Sequence, residues 1–239
     1  MQNNKGLSVR DVAAILVAGG SSVRFGRPKH LEMLGDLPMY QYVARTFSLI
    51  ESMNTVVVVA PERDLPAVQK GMQTLNLPIK WKVVAGGATR QESAGHGLRA
   101  VHDDPEIKIV LVHDVARPLV DDVVILGVIG AVREFGSAVP AVEIVDTIKR
   151  VVEGDIVETV PRENLWRAQT PQGARIELLR AAFAAARDSE FQGTDESQLL
   201  ERIGEQPRLV PGSNLNFKIT YPIDLDRARL IVGGSQRSK

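Results

Sequence analysis

A continuous apolar run, Val12–Val17, stops at a pair of glycines, Gly19 and Gly20, and this feature constrains the fold more than any other. A run without alternating polar residues is typical of a strand that is buried on both faces in a parallel sheet. Two glycines at the carboxyl end of such a strand let the backbone turn sharply and bring its N–H groups close to an anion, because no Cβ atom intervenes. The sequence therefore predicts an anion-binding loop after its first strand.

Two cations, Arg24 and Lys29, follow the glycine pair closely. A turn needs neither of them, and two fixed positive charges beside a glycine loop suit a triphosphate. The loop lacks the Gly-Lys-Ser/Thr of a Walker motif and the GxGxxG spacing of a dinucleotide-binding fold. An ordinary strand-to-helix connection with a solvated arginine and lysine remains the alternative.

Composition limits the classes of protein to which the chain can belong. Its 239 residues suit one large domain, so we expect residues 1–239 to form a single unit. The 29 Lys and Arg residues balance the 29 Asp and Glu residues, which argues against a nucleic-acid or anionic-membrane partner. The absence of cysteine excludes thiolate zinc sites and a cysteine nucleophile. Residues 1–11 are polar and no apolar run reaches the length of a membrane span, so a cytoplasmic protein is expected.

Strand and helix patterns alternate along the first half of the chain. Further strands are predicted at residues 55–60, 80–85 and 107–112, with a helix from near Pro38 and another from Pro61 to about Leu75. This alternation predicts an α/β fold with a doubly wound, mostly parallel sheet. Ligands of such sheets bind beyond the carboxyl ends of the strands.

A second glycine pair, Gly86 and Gly87, precedes Arg90 and Ser93 at a predicted helix start. The free N–H groups of a helix amino terminus add contacts to a phosphate or a base. A capped turn without a ligand is the structural alternative. Because this loop and the first should open on the same crevice, we favour a binding role.

The strand predicted at 107–112 delivers His113 and Asp114 to that crevice. A carboxylate at the end of a central strand, beside phosphate-binding loops, is well placed to hold Mg²⁺ against a triphosphate. Asp114 is therefore the predicted metal ligand; an Asx turn or a pairing with Arg117 is the alternative. His113 is interpreted as hydrogen-bonded scaffolding.

Six motifs occur in the order seen in the 2-C-methyl-D-erythritol 4-phosphate cytidylyltransferases, and the chain resembles that family from about residue 13 to residue 231. They are GGATRQES at 86–93, VHDVARP at 112–118, DTIK at 146–149, LWRAQTPQ at 165–172, TDES at 194–197 and NFKITYPIDL at 216–225. The order Ala-Gly-Gly, Arg24, Gly26, Pro28 and Lys29 is similarly shared with sugar-nucleotide and polyol-phosphate nucleotidyltransferases. The chain departs from the family pattern at Ser22, at His30 and at Tyr221.

The resemblance implies a Rossmann-like nucleotidyltransferase that moves a cytidylyl group from CTP to a polyol phosphate with Mg²⁺ or another divalent cation. The residues that it implies for catalysis are Arg24, Lys29, Arg162 and Lys218. Those implied for CTP binding are Ala18, Gly19, Gly20, Ser21, Gly86, Gly87, Arg90, Ser93 and Ala116. Those implied for the acceptor are Arg117, Thr147, Arg162, Thr194 and Lys218.

Residues 142–160 interrupt the strand–helix alternation. Apolar residues on both sides of a turn at 153–155 predict a β-hairpin, and an isolated hairpin is marginal in water. The resemblance implies that an arm at 142–162 clasps a second subunit, so a homodimer is expected. Amphipathic helices are predicted at 175–187 and 195–203, with Thr194 as the N-cap of the second, and Lys218 lies in a short β-like run before Pro222.

Two other functions remain open at this point. One is a cytidylyltransferase that acts on ribitol 5-phosphate, whose nucleotide loops are similar. The other is a noncatalytic nucleotide-binding regulator on the same fold, because fold does not fix function.

Overall fold

The apolar runs of the sequence form the centre of one large sheet. The computed structural model describes residues 10–19 and 25–236. In chain order its strands are β1 (Val12–Val17), β2 (Met33–Leu34), β3 (Leu37–Pro38), β4 (Met53–Ala60), β5 (Lys80–Ala85), β6 (Ile109–Asp114), β7 (Ser137–Glu143), β8 (Ile148–Val152), β9 (Asp155–Val160), β10 (Trp166–Ala168), β11 (Gln172–Arg175) and β12 (Arg208–Pro211). Its helices are α1 (Met39–Ser48), α2 (Leu65–Thr74), α3 (Arg90–Ala100), α4 (Asp122–Phe135), α5 (Ile176–Asp188), α6 (Glu196–Arg202) and α7 (Pro222–Gln236).

The main sheet has eight strands, in the order β10–β7–β11–β6–β1–β4–β5 with β12 beside β7. Strands β5, β4, β1 and β6 are parallel neighbours. Strand β11 runs antiparallel to β6 and β7, and β10 runs antiparallel to β7. The predicted α/β class with a doubly wound, mostly parallel sheet is confirmed.

Strand β1 is buried on both faces. Val12, Ala14 and Leu16 pack into the apolar cluster that contains residues of α1, α2, α4 and α7. Ala13, Ile15 and Val17 face the opposite cluster, which contains residues of α3, α5 and α6. Since successive side chains of a strand point to opposite faces, helices on both sides require a strand that is apolar throughout.

The predicted element boundaries are close to those observed. Helix α1 begins directly after Pro38. The segment after Pro61 starts as a 3-10 turn, Glu62–Asp64, before α2. Strand β6 lies two residues later than predicted, so Asp114 belongs to the strand and pairs in register with Val17 at the end of β1. That register brings Asp114 level with the start of the first glycine loop.

The predicted hairpin consists of β8 and β9, which pair only with each other among the described strands. Glu153 and Gly154 connect them with φ angles of 51° and 97°, as the tight two-residue hairpin turns require. Val142, which we expected in the hairpin, instead lies in β7 opposite Arg167 of β10. Exposed apolar side chains cover the hairpin; they are Val151, Val152, Ile156 and Val157.

Across residues 10–19 and 25–236, every helix is too short or too polar to cross a bilayer.

Helix α3 lies close to the sheet at Gly97, and we predict that Gly97→Ala destabilises the protein by about 1–3 kcal/mol, as overpacking does. The added Cβ would lie 2.3 Å from Ile15 Cγ2 and 3.0 Å from Val59 Cγ2, both on buried strands. The matched control is Gly127→Ala on α4, where nothing lies within 4 Å of the added atom. Urea unfolding midpoints measure both variants; a Gly97→Ala protein as stable as the control would contradict the packing argument.

Candidate active site

The second glycine loop is held in place by Ser93 on the first turn of α3. The Gly87 N–H donates to Ser93 Oγ over 3.1 Å, and the Ser93 hydroxyl donates to the Thr89 carbonyl over 2.9 Å. A Cβ atom on Gly86 would lie 2.9 Å from Ser93 Oγ, and one on Gly19 would lie 3.6 Å from it. Ser93 is therefore the point where the two predicted loops meet.

The predicted helix start after this loop is confirmed, and it is capped. The Thr89 side chain accepts a hydrogen bond from the Glu92 N–H, as N-cap residues do. The Glu92 carboxylate in turn accepts from the Ala88 N–H over 2.8 Å. The loop therefore contains a capped turn, and that turn also borders a cavity.

The cavity has a volume of about 730 Å³, a size typical of small-molecule sites. Both glycine loops and the turn after β4 line it, through Gly19, Pro61, Glu62, Arg63, Gly86, Gly87, Ala88, Thr89, Arg90 and Ser93. Of the predicted loop contacts, Ala18 and Gly19 are described, whereas Gly20, Ser21 and Arg24 lie outside the described residues.

Asp114 lies between two cations. Its Oδ1 accepts from Arg90 Nε over 2.8 Å, and its Oδ2 accepts from Lys218 Nζ over 2.7 Å. Burial on its own raises the pKa of Asp114, but the charges of Arg90 and Lys218 outweigh burial and hold this pKa well below its usual range. The alternative pairing with Arg117 is wrong, since that guanidinium donates to the carbonyls of Asn216 and Ala168.

Glu196, at the start of α6, completes this arrangement. Arg90 Nη1 and Nη2 donate to its two carboxylate oxygens over 2.8 Å and 2.9 Å. Glu196 is 1% exposed, and burial raises its pKa while the Arg90 charge opposes the rise. We call Glu196, Arg90, Asp114 and Lys218 the Asp114 cluster; its two positive and two negative charges balance.

Sequence reasoning missed Glu196, although the TDES motif contains it. Its position in the first turn of α6 suggests only a favourable interaction with the helix dipole. Arg90 and Glu196 are 106 residues apart in the chain, so they become partners only because the fold places the start of α6 beside the start of α3.

His113 forms hydrogen bonds through both ring nitrogens at the end of β6. Its Nε2 lies 3.1 Å from the Arg117 carbonyl, and its Nδ1 lies 3.0 Å from the Thr170 hydroxyl. A carbonyl only accepts, so Nε2 carries the proton and Nδ1 accepts from Thr170, whose Oγ1 also accepts from the Asp114 N–H over 3.1 Å. Burial lowers the pKa of His113 to about 4. The neutral, fully paired ring supports its interpretation as scaffolding.

Residues 217–220 connect Lys29 to the end of β6. Lys29 Nζ donates to the Ile219 carbonyl over 3.1 Å, and the Ile219 N–H donates to the Ala116 carbonyl over 2.7 Å. The expected β-like run is wrong, because these residues form no strand. Their hydrogen bonds nevertheless bring Lys29, Ala116 and Lys218 to the same sheet edge.

Two departures from the family pattern, His30 and Tyr221, lie on either side of this connection, and the third, Ser22, lies outside the described residues. His30 is buried, with Nε2 3.2 Å from Asp64 Oδ2; burial lowers its pKa, and the Asp64 charge opposes that effect. Tyr221 is half exposed, at 52%. The turn that carries Lys29 thus lies beside Asp64, which precedes α2.

The predicted acceptor residues are not all brought together in one chain. Thr194 precedes α6, and its N–H and hydroxyl both donate to Gln198. Its predicted capping role is wrong, because Asp195 is the N-cap and accepts from the Gln198 N–H. Thr147 and Arg162 are exposed at the base of the hairpin, where Arg162 donates to the Val145 carbonyl. Among the hydrogen bonds and ion pairs of the described residues, none connects Thr147 or Arg162 to the Asp114 cluster.

Among the described residues, no group of three His, Asp or Glu side chains is arranged to hold a metal ion. A divalent cation at Asp114 would therefore take its remaining ligands from water or from a bound phosphate, which is common for Mg²⁺.

The Thr89 N-cap should stabilise α3, the helix that carries Arg90 and Ser93. Thr89→Ala removes the acceptor for the Glu92 N–H, and we expect a loss of about 1 kcal/mol, whereas Thr89→Ser keeps an acceptor and should lose little. Urea unfolding measures both variants. Equal midpoints for the alanine and serine variants would show that the cap does not stabilise α3.

Comparison with known proteins identifies the family to which the chain belongs. The model of the family described as "2-C-methyl-D-erythritol 4-phosphate cytidylyltransferase" matches residues 12–234. A protein of that name from Acidobacterium capsulatum is 40% identical over 228 residues, which cover 91% of this chain and 95% of the relative. One from Salinibacter ruber is 40% identical over 213 residues, which cover 88% of this chain and 89% of the relative.

Solved structures that resemble this chain belong to proteins with the same enzyme activity in their names. The crystal structure of 2-C-methyl-D-erythritol 4-phosphate cytidylyltransferase from Thermus thermophilus matches with a TM-score of 0.76 and 31% identity, over 92% of this chain and 98% of that one. The 4-diphosphocytidyl-2C-methyl-D-erythritol synthase of Anaerococcus prevotii matches with a TM-score of 0.81 and 27% identity, over 93% of this chain and 98% of that one. The chain therefore belongs to the 2-C-methyl-D-erythritol 4-phosphate cytidylyltransferase family.

Proposed function

We propose that the protein transfers the cytidylyl group of CTP to 2-C-methyl-D-erythritol 4-phosphate, which gives 4-diphosphocytidyl-2-C-methyl-D-erythritol and pyrophosphate in non-mevalonate isoprenoid biosynthesis. The observation that carries the proposal is the position of Asp114. It ends a central strand, is paired with Arg90 and Lys218, and lies at the same sheet edge as the two glycine loops that meet at Ser93. Family membership supplies the identity of the two substrates.

The reaction needs positioning and charge neutralisation rather than a protein nucleophile. An oxygen of the acceptor phosphate is already anionic at neutral pH, so it attacks the α-phosphorus of CTP directly. The bond from that phosphorus to the bridging oxygen breaks in line, and pyrophosphate leaves with the electron pair. Fixed cations and backbone N–H groups stabilise the charge that develops on these oxygens.

In this proposal the cavity beside the glycine loops holds CTP. The proposed nucleotide contacts are Ala18, Gly19, Gly20, Ser21, Gly86, Gly87, Arg90, Ser93 and Ala116. Arg24 and Lys29 neutralise charge on the α-phosphate and on the leaving pyrophosphate. The contact of Lys29 with the Ile219 carbonyl supports this role, because it holds the ammonium beside the segment that carries Lys218. Lys218 and Arg117 are proposed to orient the acceptor.

Asp114 is the residue that would hold Mg²⁺. Both carboxylate oxygens already accept hydrogen bonds from cations, so the ion would use a remaining lone pair or displace Lys218, the more exposed of the two partners. When bound, the ion would neutralise negative charge on the phosphate oxygens. Asp114 itself stays ionised throughout the physiological pH range, because the neighbouring charges hold its pKa low.

The arm at 142–162 is proposed to complete the site in a homodimer, with each chain acting as one nucleotidyltransferase domain. The hairpin pairs with no other described strand, and its apolar side chains are exposed. Small hairpins need a surface to lie on, and a second subunit provides one. In this arrangement Thr147, Arg162 and, from the body of the chain, Thr194 bind the acceptor phosphate.

An assay of pyrophosphate release tests the reaction directly. With CTP and Mg²⁺, we expect turnover with 2-C-methyl-D-erythritol 4-phosphate and formation of the cytidine diphosphate adduct. Turnover with ribitol 5-phosphate alone would replace the proposed acceptor. Tight CTP binding without turnover of either acceptor would favour a noncatalytic regulator.

Complementation between inactive subunits tests the proposed role of the arm. Lys29→Ala should lower kcat by about 100-fold or more, as the loss of a strong electrostatic donor does. Arg162→Ala should impair use of the acceptor and leave CTP binding intact. When the two variants are co-expressed, a mixed dimer contains one site with an intact Lys29 and an intact Arg162 from the other subunit. With random pairing, about a quarter of the wild-type sites survive.

If Arg162 served its own subunit, no site in any dimer would be complete. Activity no higher than that of the two parents, in a sample shown to contain mixed dimers, would therefore exclude the cross-subunit role. Lys70→Ala, at an exposed position on α2, is the matched control for the loss of a lysine charge.

A further inference from the structure

A second cavity, of about 550 Å³, lies between α3 and α5. Its size is typical of small-molecule sites. The cavity shares no lining residue with the one beside the glycine loops, and it contains none of the residues proposed for CTP, the acceptor or catalysis. We call this cavity the α3–α5 groove.

One part of the groove is apolar. A Cβ atom on Gly95 would lie 3.4 Å from Phe183 Cδ1, so the missing side chain lets the aromatic ring lie close to α3. Leu98, which is 5% exposed, and Ala184 extend this apolar surface. Leu98 and Phe183 also belong to the apolar packing on that side of the sheet. An occupant of the groove can therefore remove apolar surface from water.

A cation lies directly beside this apolar surface. Arg99 Nη1 is 3.8 Å from the position of the same Gly95 Cβ atom, so the guanidinium is next to the Phe183 ring. Arg99 is exposed, and its side chain takes part in none of the hydrogen bonds and ion pairs of residues 10–19 and 25–236. Its donors are therefore available to a ligand.

Arg180 brings a second guanidinium to the groove from α5. One terminal nitrogen donates to the His102 carbonyl, which fixes the side chain. Its Nε is buried and has no hydrogen-bond partner among the described residues. Buried donors are nearly always paired in folded proteins, so an unpaired one beside a cavity indicates an acceptor that the chain itself does not supply.

The acidic side chains nearby have partners of their own. The Glu92 carboxylate, which also lines the groove, accepts from a backbone N–H, and Asp188 pairs with Arg187 over 3.0 Å. Within the described part of the chain, no ion pair involves Arg99 or Arg180. The groove thus offers two guanidinium groups to an anion.

The helices that form the groove do not resemble a membrane-binding surface. Both α3 and α5 lie wholly within the described residues, and neither exposes a large apolar side chain. Helices that lie in a membrane interface present such side chains to the lipid. A ligand of the groove is therefore expected to enter it from water.

We propose that the α3–α5 groove binds a small, soluble phosphate or diphosphate ester with an apolar chain. The apolar chain lies beside Phe183, and the anionic head lies at Arg99 and Arg180. A phosphate oxygen supplies the acceptor that Arg180 Nε lacks, and a multiply charged head suits two guanidinium groups. This binding site is additional to the proposed transfer reaction and does not depend on it.

Isothermal titration of the full chain with geranyl diphosphate tests the proposal, because this probe joins a short apolar chain to a diphosphate. We expect one saturable site whose Kd does not change when CTP is present at saturation. Inorganic pyrophosphate, which is the head without the chain, should bind the groove at least about tenfold more weakly. Geraniol, which is the chain without the head, should not bind measurably.

Variants locate the probe in the groove. Arg99→Gln should raise the Kd of geranyl diphosphate about tenfold, because it removes a charge-assisted contact with the head. Ala184→Leu fills part of the groove without removing a charge or a hydrogen bond, and it should weaken binding by a similar factor. Arg45→Gln is the matched control, since Arg45 is an exposed arginine on α1, on the other side of the sheet. Its Kd should equal that of the wild type.

Four results would overturn the inference. They are the absence of saturable binding to the wild type, an unchanged Kd in Arg99→Gln or in Ala184→Leu, displacement of the probe by CTP, and equal affinity for pyrophosphate. Binding to vesicles that contain phosphatidic acid, without binding of the soluble probe, would assign the groove to a lipid headgroup and would also contradict the proposal. A protein that binds geranyl diphosphate in the groove but does not turn over the proposed acceptor would refute only the proposed function.

Discussion

The charge balance around Asp114 is the interaction on which the rest of the site depends. A carboxylate that is 7% exposed stays ionised only if cations compensate for the loss of water, and here Arg90 and Lys218 provide that compensation. The partly buried Arg90 guanidinium is in turn paired with the carboxylate of Glu196. These four residues come from β6, α3, α6 and the segment before α7. Their ion pairs therefore connect elements that are distant in sequence.

Close backbone packing at the glycine loops supports this electrostatic centre. Ser93 lies where a Cβ atom on Gly86 would collide with it, and its hydroxyl fixes the Gly87 N–H. The same helix turn carries Arg90, so the cavity beside the glycine loops and the Asp114 cluster share one helix start. His113 and Thr170 stabilise the end of β6, because the ring nitrogens of His113 and the hydroxyl of Thr170 are all hydrogen-bonded.

The hairpin differs from the remainder of the fold because the single chain does not bury it. Its two strands satisfy each other's backbone groups, and its turn has the backbone angles that such turns require. Exposed valines and an isoleucine on its surface gain stability only against another surface. This exposure supports the proposed role of the arm in a homodimer.

The α/β class, the central buried strands and the start of each glycine loop could be predicted from sequence patterns, because continuous apolar runs and glycine pairs reflect local backbone and burial requirements. Motif order also pointed to the correct family and singled out Lys218, whereas Asp114 was singled out by its position at the end of a predicted strand. The folded structure was needed to show that Arg90 pairs with Asp114 and Glu196, that Arg117 does not pair with Asp114, and that Val142 belongs to the main sheet. Such pairings join residues tens of positions apart, and periodicity along the chain contains no information about which distant side chains will meet.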